Sequence, residues 1–166
     1  MTKETYVKMT QPFRDHPNMA KGIHIANKAC TLVMYVSYPC LLLYLFLLKD
    51  VLMWRVLFVP AISFVLLSLG RGIINRKRPY EAFEMESVIK KDTKGKSFPS
   101  RHVFSATVIA MTFLLASPWM WIGILFLVVA VVLAVVRVVS GVHFISDVLA
   151  GIAVGVLAAC IGYIWI

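Results

Sequence analysis

Apolar residues in this chain fall into five long runs, at 31–48, 51–70, 102–117, 119–139 and 143–166. An 18-residue helix such as 31–48 rises ~27 Å, just enough to cross the hydrocarbon core of a bilayer. The pattern therefore predicts an all-α integral membrane bundle of about five transmembrane helices. Lys49-Asp50 closes the first run, and Arg55 near the start of the second can snorkel to the interface. Pro60 predicts a kink in that second run. Ser117-Pro118 marks a tight turn, and Gly141 interrupts the chain before the last run. Gly151 and Gly155 form a GxxxG spacing, for which close helix packing is a sufficient reason.

Two polar stretches frame these runs. Residues 1–30 carry Lys3, Lys8, Arg14, Lys21 and Lys28 and are too polar to span. They read as an N-terminal interfacial helix from about Met19 to Cys30, or as a solvated tail. They contain no apolar core of the kind a cleavable signal peptide needs, so the first span is expected to serve as the insertion signal. Residues 71–101 hold Arg71, Arg76, Lys77, Arg78, Lys90, Lys91, Lys94, Lys96 and Arg101, with Glu81, Glu84, Glu86 and Asp92. Helical turns are expected at either end of this connection, around a mobile Lys/Gly-rich middle. Because spans alternate sides, the end of span two, the start of span three, the end of span four and the start of span five share one membrane face. The polar residues that need explaining lie at those four places.

Composition sharpens the class. The chain is 60% hydrophobic and 15% charged, whereas a soluble domain averages about half apolar and a quarter charged. A globule of this length would have to hide more apolar surface than it can; a bilayer removes the conflict. The net charge of +9 then points to anionic lipid or phosphate, not to nucleic acid. Cys30, Cys40 and Cys160 are odd in number and lie in or beside apolar runs, so no disulfide framework is implied. With no internal repeat, 1–166 reads as one domain.

Three clusters carry candidate chemistry. Arg71 and Arg78 are seven apart, so on a continuous helix they would share a face and could fork onto a tetrahedral oxyanion. Pro99-Ser100-Arg101-His102 opens the third run, with Ser100 as a natural N-cap at an anion-favouring helix start. His143 and Asp147 are four apart; on one helix face the carboxylate would fix the imidazole tautomer and leave the other nitrogen free to attack. A bend at Gly141 would bring Arg137 over that histidine. His16 and His24 read as surface residues. Only Asp147 among the eight acidic residues joins these clusters, too few carboxylates for a two-metal centre. No metal or cofactor is called for, and Glu81, Glu84 and Glu86 read as a solvated loop.

Taken together, the clusters resemble the type 2 phosphatidic acid phosphatase (PAP2) family, whose pattern runs K-x6-R-P, P-S-G-H, S-R-x5-H-x3-D. Here the matching residues are Arg71 with Arg78-Pro79, Pro99-Ser100-Arg101-His102, and Val136-Arg137 with His143 and Asp147. The likeness runs from 71 to about 155. Arg71 stands where the family has Lys, Arg101 where it has Gly, and Val136 where it has Ser. Family members usually have six spans against the five counted here. The resemblance implies a metal-independent lipid phosphatase in the cell membrane, its site on the extracellular or lumenal face. In it His143, oriented by Asp147, would form a phosphohistidine, and His102 would serve the leaving oxygen and then water. Arg71, Arg78, Ser100, the Arg101 amide and Arg137 would hold the phosphate oxygens. The substrate class would be a phospholipid or polyprenyl phosphate, such as undecaprenyl pyrophosphate, phosphatidylglycerophosphate or phosphatidic acid. Two other readings of the same residues are a membrane haem protein ligated by His102 and His143 and an Arg-lined anion channel or transporter.

Overall fold

The computed structural model describes residues 2–91 and 93–165, with backbone alone at Trp165; Met1, Asp92 and Ile166 lie outside the described residues. Helix α1 runs Lys3–Asp15, α2 Pro17–Leu47, α3 Leu52–Ile74, α4 Pro79–Ala82, α5 Arg101–Ala116, α6 Met120–Val139 and α7 Ile145–Cys160, followed by a π-helical turn at Ile161–Trp165. No strand occurs among the described residues. Four helices among them are long and apolar enough to cross a membrane: α2, α3, α6, and α7 with its π-helical extension. The remaining apolar helix, α5, is 16 residues long. The outer faces of α2, α3 and α6 carry large exposed hydrophobics such as Phe46, Phe58, Leu66 and Val128, as surfaces facing lipid chains require.

The N-terminal region departs from expectation. Residues 19–30 are not a separate surface helix but the first part of α2, a single 31-residue helix. The helical periodicity continues through the polar segment, and Pro17 opens it at the first helical position. The separate short helix is α1, capped by Thr2, whose hydroxyl accepts from the Thr5 N–H. It presses Tyr6 into a cluster with Val103, Ala134, Val138 and Val148. His24 is exposed, as expected, and its Nε2 lies 3.0 Å from the Val88 carbonyl.

Helix α5 is the axis of the bundle, buried on most sides against α2, α3, α6 and α7. Gly151 and Gly155 explain how α7 comes so close to it. A Cβ at Gly151 would stand 2.8 Å from the Ser100 carbonyl oxygen, and one at Gly155 2.9 Å from the Thr107 Cβ. The glycine pair therefore seats the start of α7 directly on the start of α5.

On both sides of the residue left undescribed, the polar connection is bonded through its backbone to neighbouring elements. Val88 N–H donates to the Ser140 carbonyl at 2.9 Å and Ser97 N–H to the Arg76 carbonyl at 2.9 Å. Gly95 N–H donates to Glu81 Oε2 at 2.8 Å. Ile89 packs with Ile23, Val136 and Val142, which pins the segment across the ends of α2 and α6.

Candidate active site

Helix α3 stops at Asn75, which adopts a left-handed conformation (φ 42°). Arg71 and Arg78 therefore do not share a helical face. They converge by another route, reaching the same loop from two sides. Arg71 donates to the Lys96 and Pro99 carbonyls, and Arg78 Nε donates to the Gly95 carbonyl at 3.0 Å. Arg78 is held at the start of α4, its N–H donating to Glu81 Oε2 at 2.9 Å. Glu81 is thus a brace between Arg78 and Gly95, not a solvated loop acid.

Ser100 is buried at the mouth of α5, and its N–H donates to the Asp147 carbonyl at 2.8 Å. That bond stitches the α5 start to the α7 start. The side chain does not cap the helix as expected; Ser100 Oγ is buried with no hydrogen-bond partner among the described residues. Arg101 is exposed, and its guanidinium lies 5.5 Å from the Phe64 ring centroid, over the face of α3.

Arg137, His143 and Asp147 are brought together by the break after α6. Gly141 takes φ 81°, a conformation that only glycine adopts without strain, and His143 N–H then reaches back to the Arg137 carbonyl at 3.2 Å. His143 lies before α7, not on it. Asp147 occupies the third position of α7, and its Oδ2 accepts from the Phe144 N–H at 3.0 Å, as a helix-capping carboxylate does. The same oxygen stands 3.5 Å from His143 Nδ1. Arg137 is almost wholly buried. Its Nη2 meets His102 Nδ1 at 3.1 Å and its Nη1 donates to Asn27 Oδ1 at 3.0 Å. Since arginine can only donate, His102 Nδ1 is the acceptor and the ring proton sits on Nε2. Arg137 Nε is buried without a hydrogen-bond partner among the described residues.

Four residues that sequence reasoning did not single out complete the arrangement. Ser97 Oγ donates to Asp147 Oδ2 at 2.5 Å. Arg76 Nη1 donates to Asp147 Oδ1 at 2.7 Å while its guanidinium covers the Phe144 ring at 4.5 Å. Asn27 orients Arg137, and the Tyr6 hydroxyl reaches the His143 carbonyl. Ser97 and Arg76 lie within two or three residues of predicted site positions and were open to suspicion on that ground. Asn27 and Tyr6 gave no signal, since nothing local distinguishes them.

Burial pushes the His143 imidazole down to about 4, opposed by its bond to Asp147 and reinforced by the nearby Arg137 and Arg78 charges. The ring is therefore neutral at ordinary pH. Lys91 is lowered to about 8 by burial and by the surrounding charges of Arg137, Arg78, Arg101 and Arg71. Among the described residues no group of three His, Cys, Asp or Glu side chains is placed to hold a metal ion. The whole assembly is a buried His–Asp pair beneath converging cations, with an unpaired hydroxyl and an unpaired guanidinium N–H beside it. Such a site suits a tetrahedral oxyanion.

Residues 51–166 match the family model described as PAP2 superfamily. The chain belongs to the PAP2 superfamily. It is 34% identical over 95 residues to an undecaprenyl-diphosphatase of Sulfolobus acidocaldarius, a match covering 57% of this chain and 45% of that protein. The chain thus matches less than half the length of this relative. Its fold resembles that of LpxE from Aquifex aeolicus, with a TM-score of 0.74, 23% identity, and coverage of 96% of this chain and 92% of that one. A transmembrane PAP2 type phosphatidylglycerolphosphate phosphatase from Bacillus subtilis is also similar, with a TM-score of 0.51, 22% identity, and coverage of 95% and 90%. The PAP2 match begins at residue 51, so α1 and α2 lie outside it while contributing Tyr6 and Asn27 to the site.

Proposed function

We propose that this chain is a multi-pass membrane lipid phosphatase that cleaves a phosphomonoester or diphosphate through a phosphohistidine on His143. The observation that carries the reading is the pair of buried, unpaired donors, Ser100 Oγ and Arg137 Nε, beside a neutral imidazole backed by a carboxylate. Orphaned buried polar groups are costly, and a bound phosphate would satisfy both. Family membership favours this chemistry over haem ligation or anion conduction.

In the proposed reaction Asp147 holds the His143 Nδ1–H, and the Nε2 lone pair attacks phosphorus. The bond from phosphorus to the lipid oxygen breaks in line. As phosphate enters, the Arg137 fork turns onto its oxygens and frees His102 Nδ1, which takes up the proton of the entering hydrogen phosphate while the ring hands a proton on to the leaving oxygen. Water then attacks the phosphohistidine, with His102 taking its proton, and inorganic phosphate leaves. Arg71, Arg78, Arg137, Ser100 and the Arg101 amide stabilise the spread negative charge. The reaction asks nothing of a metal. Because Tyr6 and Asn27 reach the site, 1–166 acts as one catalytic unit.

A lipid substrate is supported by an open apolar groove of about 760 Å³ between α3 and α7. Trp54, Phe58, Ile62, Leu66 and Leu157 line it, and it ends at Ile74 and Pro99, beside the loop that Arg71 grips. A hydrocarbon chain there would leave its phosphate at the site. The candidates are undecaprenyl pyrophosphate, phosphatidylglycerophosphate and phosphatidic acid. The site is assigned to the extracellular face of the cell membrane on family grounds. The N-terminal lysines and Lys90–Lys96 weigh toward the cytoplasm under the positive-inside rule. Labelling of Lys94→Cys in intact cells, with the three native cysteines replaced, decides between the faces.

The decisive assay is phosphate release by the purified protein from those three lipids in EDTA, beside His143→Ala. Turnover that survives EDTA and falls by at least ~10³-fold in the variant is expected. Loss of activity in EDTA sinks the metal-free mechanism, and full activity in the variant sinks the nucleophile.

A further inference from the structure

The tyrosine at position 6 stands far from the PAP2-matched region in sequence and against it in space. Its side chain is wholly buried. Its hydroxyl lies 3.0 Å from the Val138 carbonyl and 3.0 Å from the His143 carbonyl, 132 and 137 positions away. The ring is wedged between Phe83 and Phe144, with centroids 5.6 Å and 5.7 Å distant. Burial raises the phenol well above its ordinary range, so it stays a proton donor at all working pH values.

The two carbonyls are not equivalent. Val138 also accepts from the Gly141 N–H at 3.0 Å. The backbone bond recorded for His143 runs from its own N–H to Arg137 at 3.2 Å, which leaves its carbonyl to Tyr6. The segment 140–144 lies outside any helix, so no helical register fixes the direction of the imidazole. Tyr6 ties that segment to the end of α6.

We infer that Tyr6 is a positioning residue, delivered by α1, that fixes the backbone of His143 so that its imidazole meets phosphorus in line. The inference rests on the proposed role of His143 as nucleophile. Displacing a reacting group by ~1 Å can cost about a hundredfold in rate. Tyr6 is wholly buried and its hydroxyl faces two backbone carbonyls, so the loss should fall on kcat.

Tyr6→Phe keeps the ring and removes only the hydroxyl. Thr10→Val is the matched control: Thr10 is buried on the same helix, but its hydroxyl bonds only to the Tyr6 and Val7 carbonyls of α1. The protein in detergent would be assayed with dioctanoyl phosphatidic acid and with farnesyl diphosphate, beside His143→Ala and with thermal unfolding of each variant. The expected result is a kcat for Tyr6→Phe lower by about ten- to a hundredfold, KM within about twofold, and wild-type kcat for Thr10→Val. Wild-type kcat in Tyr6→Phe with an inactive His143→Ala overturns the role of Tyr6 alone. So does a Tyr6→Phe loss that Thr10→Val reproduces at equal thermal stability. An active His143→Ala overturns both the nucleophile and the residue said to position it.

Discussion

Ser97 Oγ and His143 Nδ1 address the same oxygen of Asp147, the hydroxyl at 2.5 Å and the imidazole at 3.5 Å. Asp147 is thus held by four groups, with the Phe144 N–H on that oxygen and Arg76 on the other. A carboxylate gripped in this way cannot swing away from the histidine it orients. Ser97→Ala should therefore lower kcat by roughly tenfold, with KM little changed. Steady-state phosphate release measures both, and an unchanged kcat would mean that the Ser97 hydroxyl does not hold Asp147 in its working position.

Arg137 presents a second case of divided labour. Two of its nitrogens are spent on Asn27 and His102, and Nε is buried without a partner among the described residues. Lysine supplies charge but not this fork. Arg137→Lys should cost about 10²-fold in kcat/KM, the scale of one lost oxyanion donor. Asn27→Leu, which only frees the guanidinium, should cost less, about tenfold. If Arg137→Lys is fully active, the fork has no catalytic value.

The pH profile follows from two groups. With His143 lowered to about 4, the proposed nucleophile is neutral above that pH and protonated below it, so the acid limb should lie near 4 instead of near the ordinary histidine value. Lys91, lowered to about 8, loses its charge above that pH, so KM should rise on the alkaline side. Lys91→Met should abolish that rise. The same His143 shift bears on stability. Its folded value lies below the ordinary 6.5, so the unfolded chain binds more protons between those limits. Stability should therefore fall as pH drops from about 6.5 toward 4. Thermal unfolding in detergent across that window reads the slope, and a flat profile would contradict the burial of a neutral ring.

The glycine seat of α7 on α5 predicts a sharp contrast. Gly155→Val puts branched carbon where Thr107 already stands 2.9 Å from the first added atom. It should destabilise by ~1–3 kcal/mol or more and disturb Asp147 with it. Gly22→Ala, in α2 with nothing within 4 Å, should stabilise by ~0.4–1 kcal/mol. Melting temperatures of the two variants make the comparison, and equal values would mean that the helices can part without cost.

Much of this was legible in the chain because one-dimensional signals exist for it. The apolar runs, the break at Gly141 and the small residues at 151 and 155 each act locally. The alternation of spans then forces Arg71, Ser100, Arg137 and His143 to one end. Helical spacing misled where a helix stopped early. Asn75 ends α3 before Arg78, and α7 begins after His143, so in each case convergence is achieved by a loop and a cap. The backbone bonds that tie Val88, Gly95 and Ser97 of the polar connection to neighbouring elements leave no mark on composition. Tyr6 and Asn27 were invisible for a plainer reason. Their partners lie more than a hundred positions away, and no pattern in a single sequence links them.

That separation has a consequence for timing. Contacts between distant parts of a chain close late, because the loop between them must be ordered first. The Tyr6 hydroxyl waits for a carbonyl 137 residues downstream, and Asn27 waits for Arg137, 110 residues on. During synthesis α1 and α2 are made long before the His143 carbonyl that Tyr6 holds. Under the proposed mechanism a chain made only as far as α6 would still lack His143, so the site would gain its reacting group in one step, as α7 follows it into the bilayer.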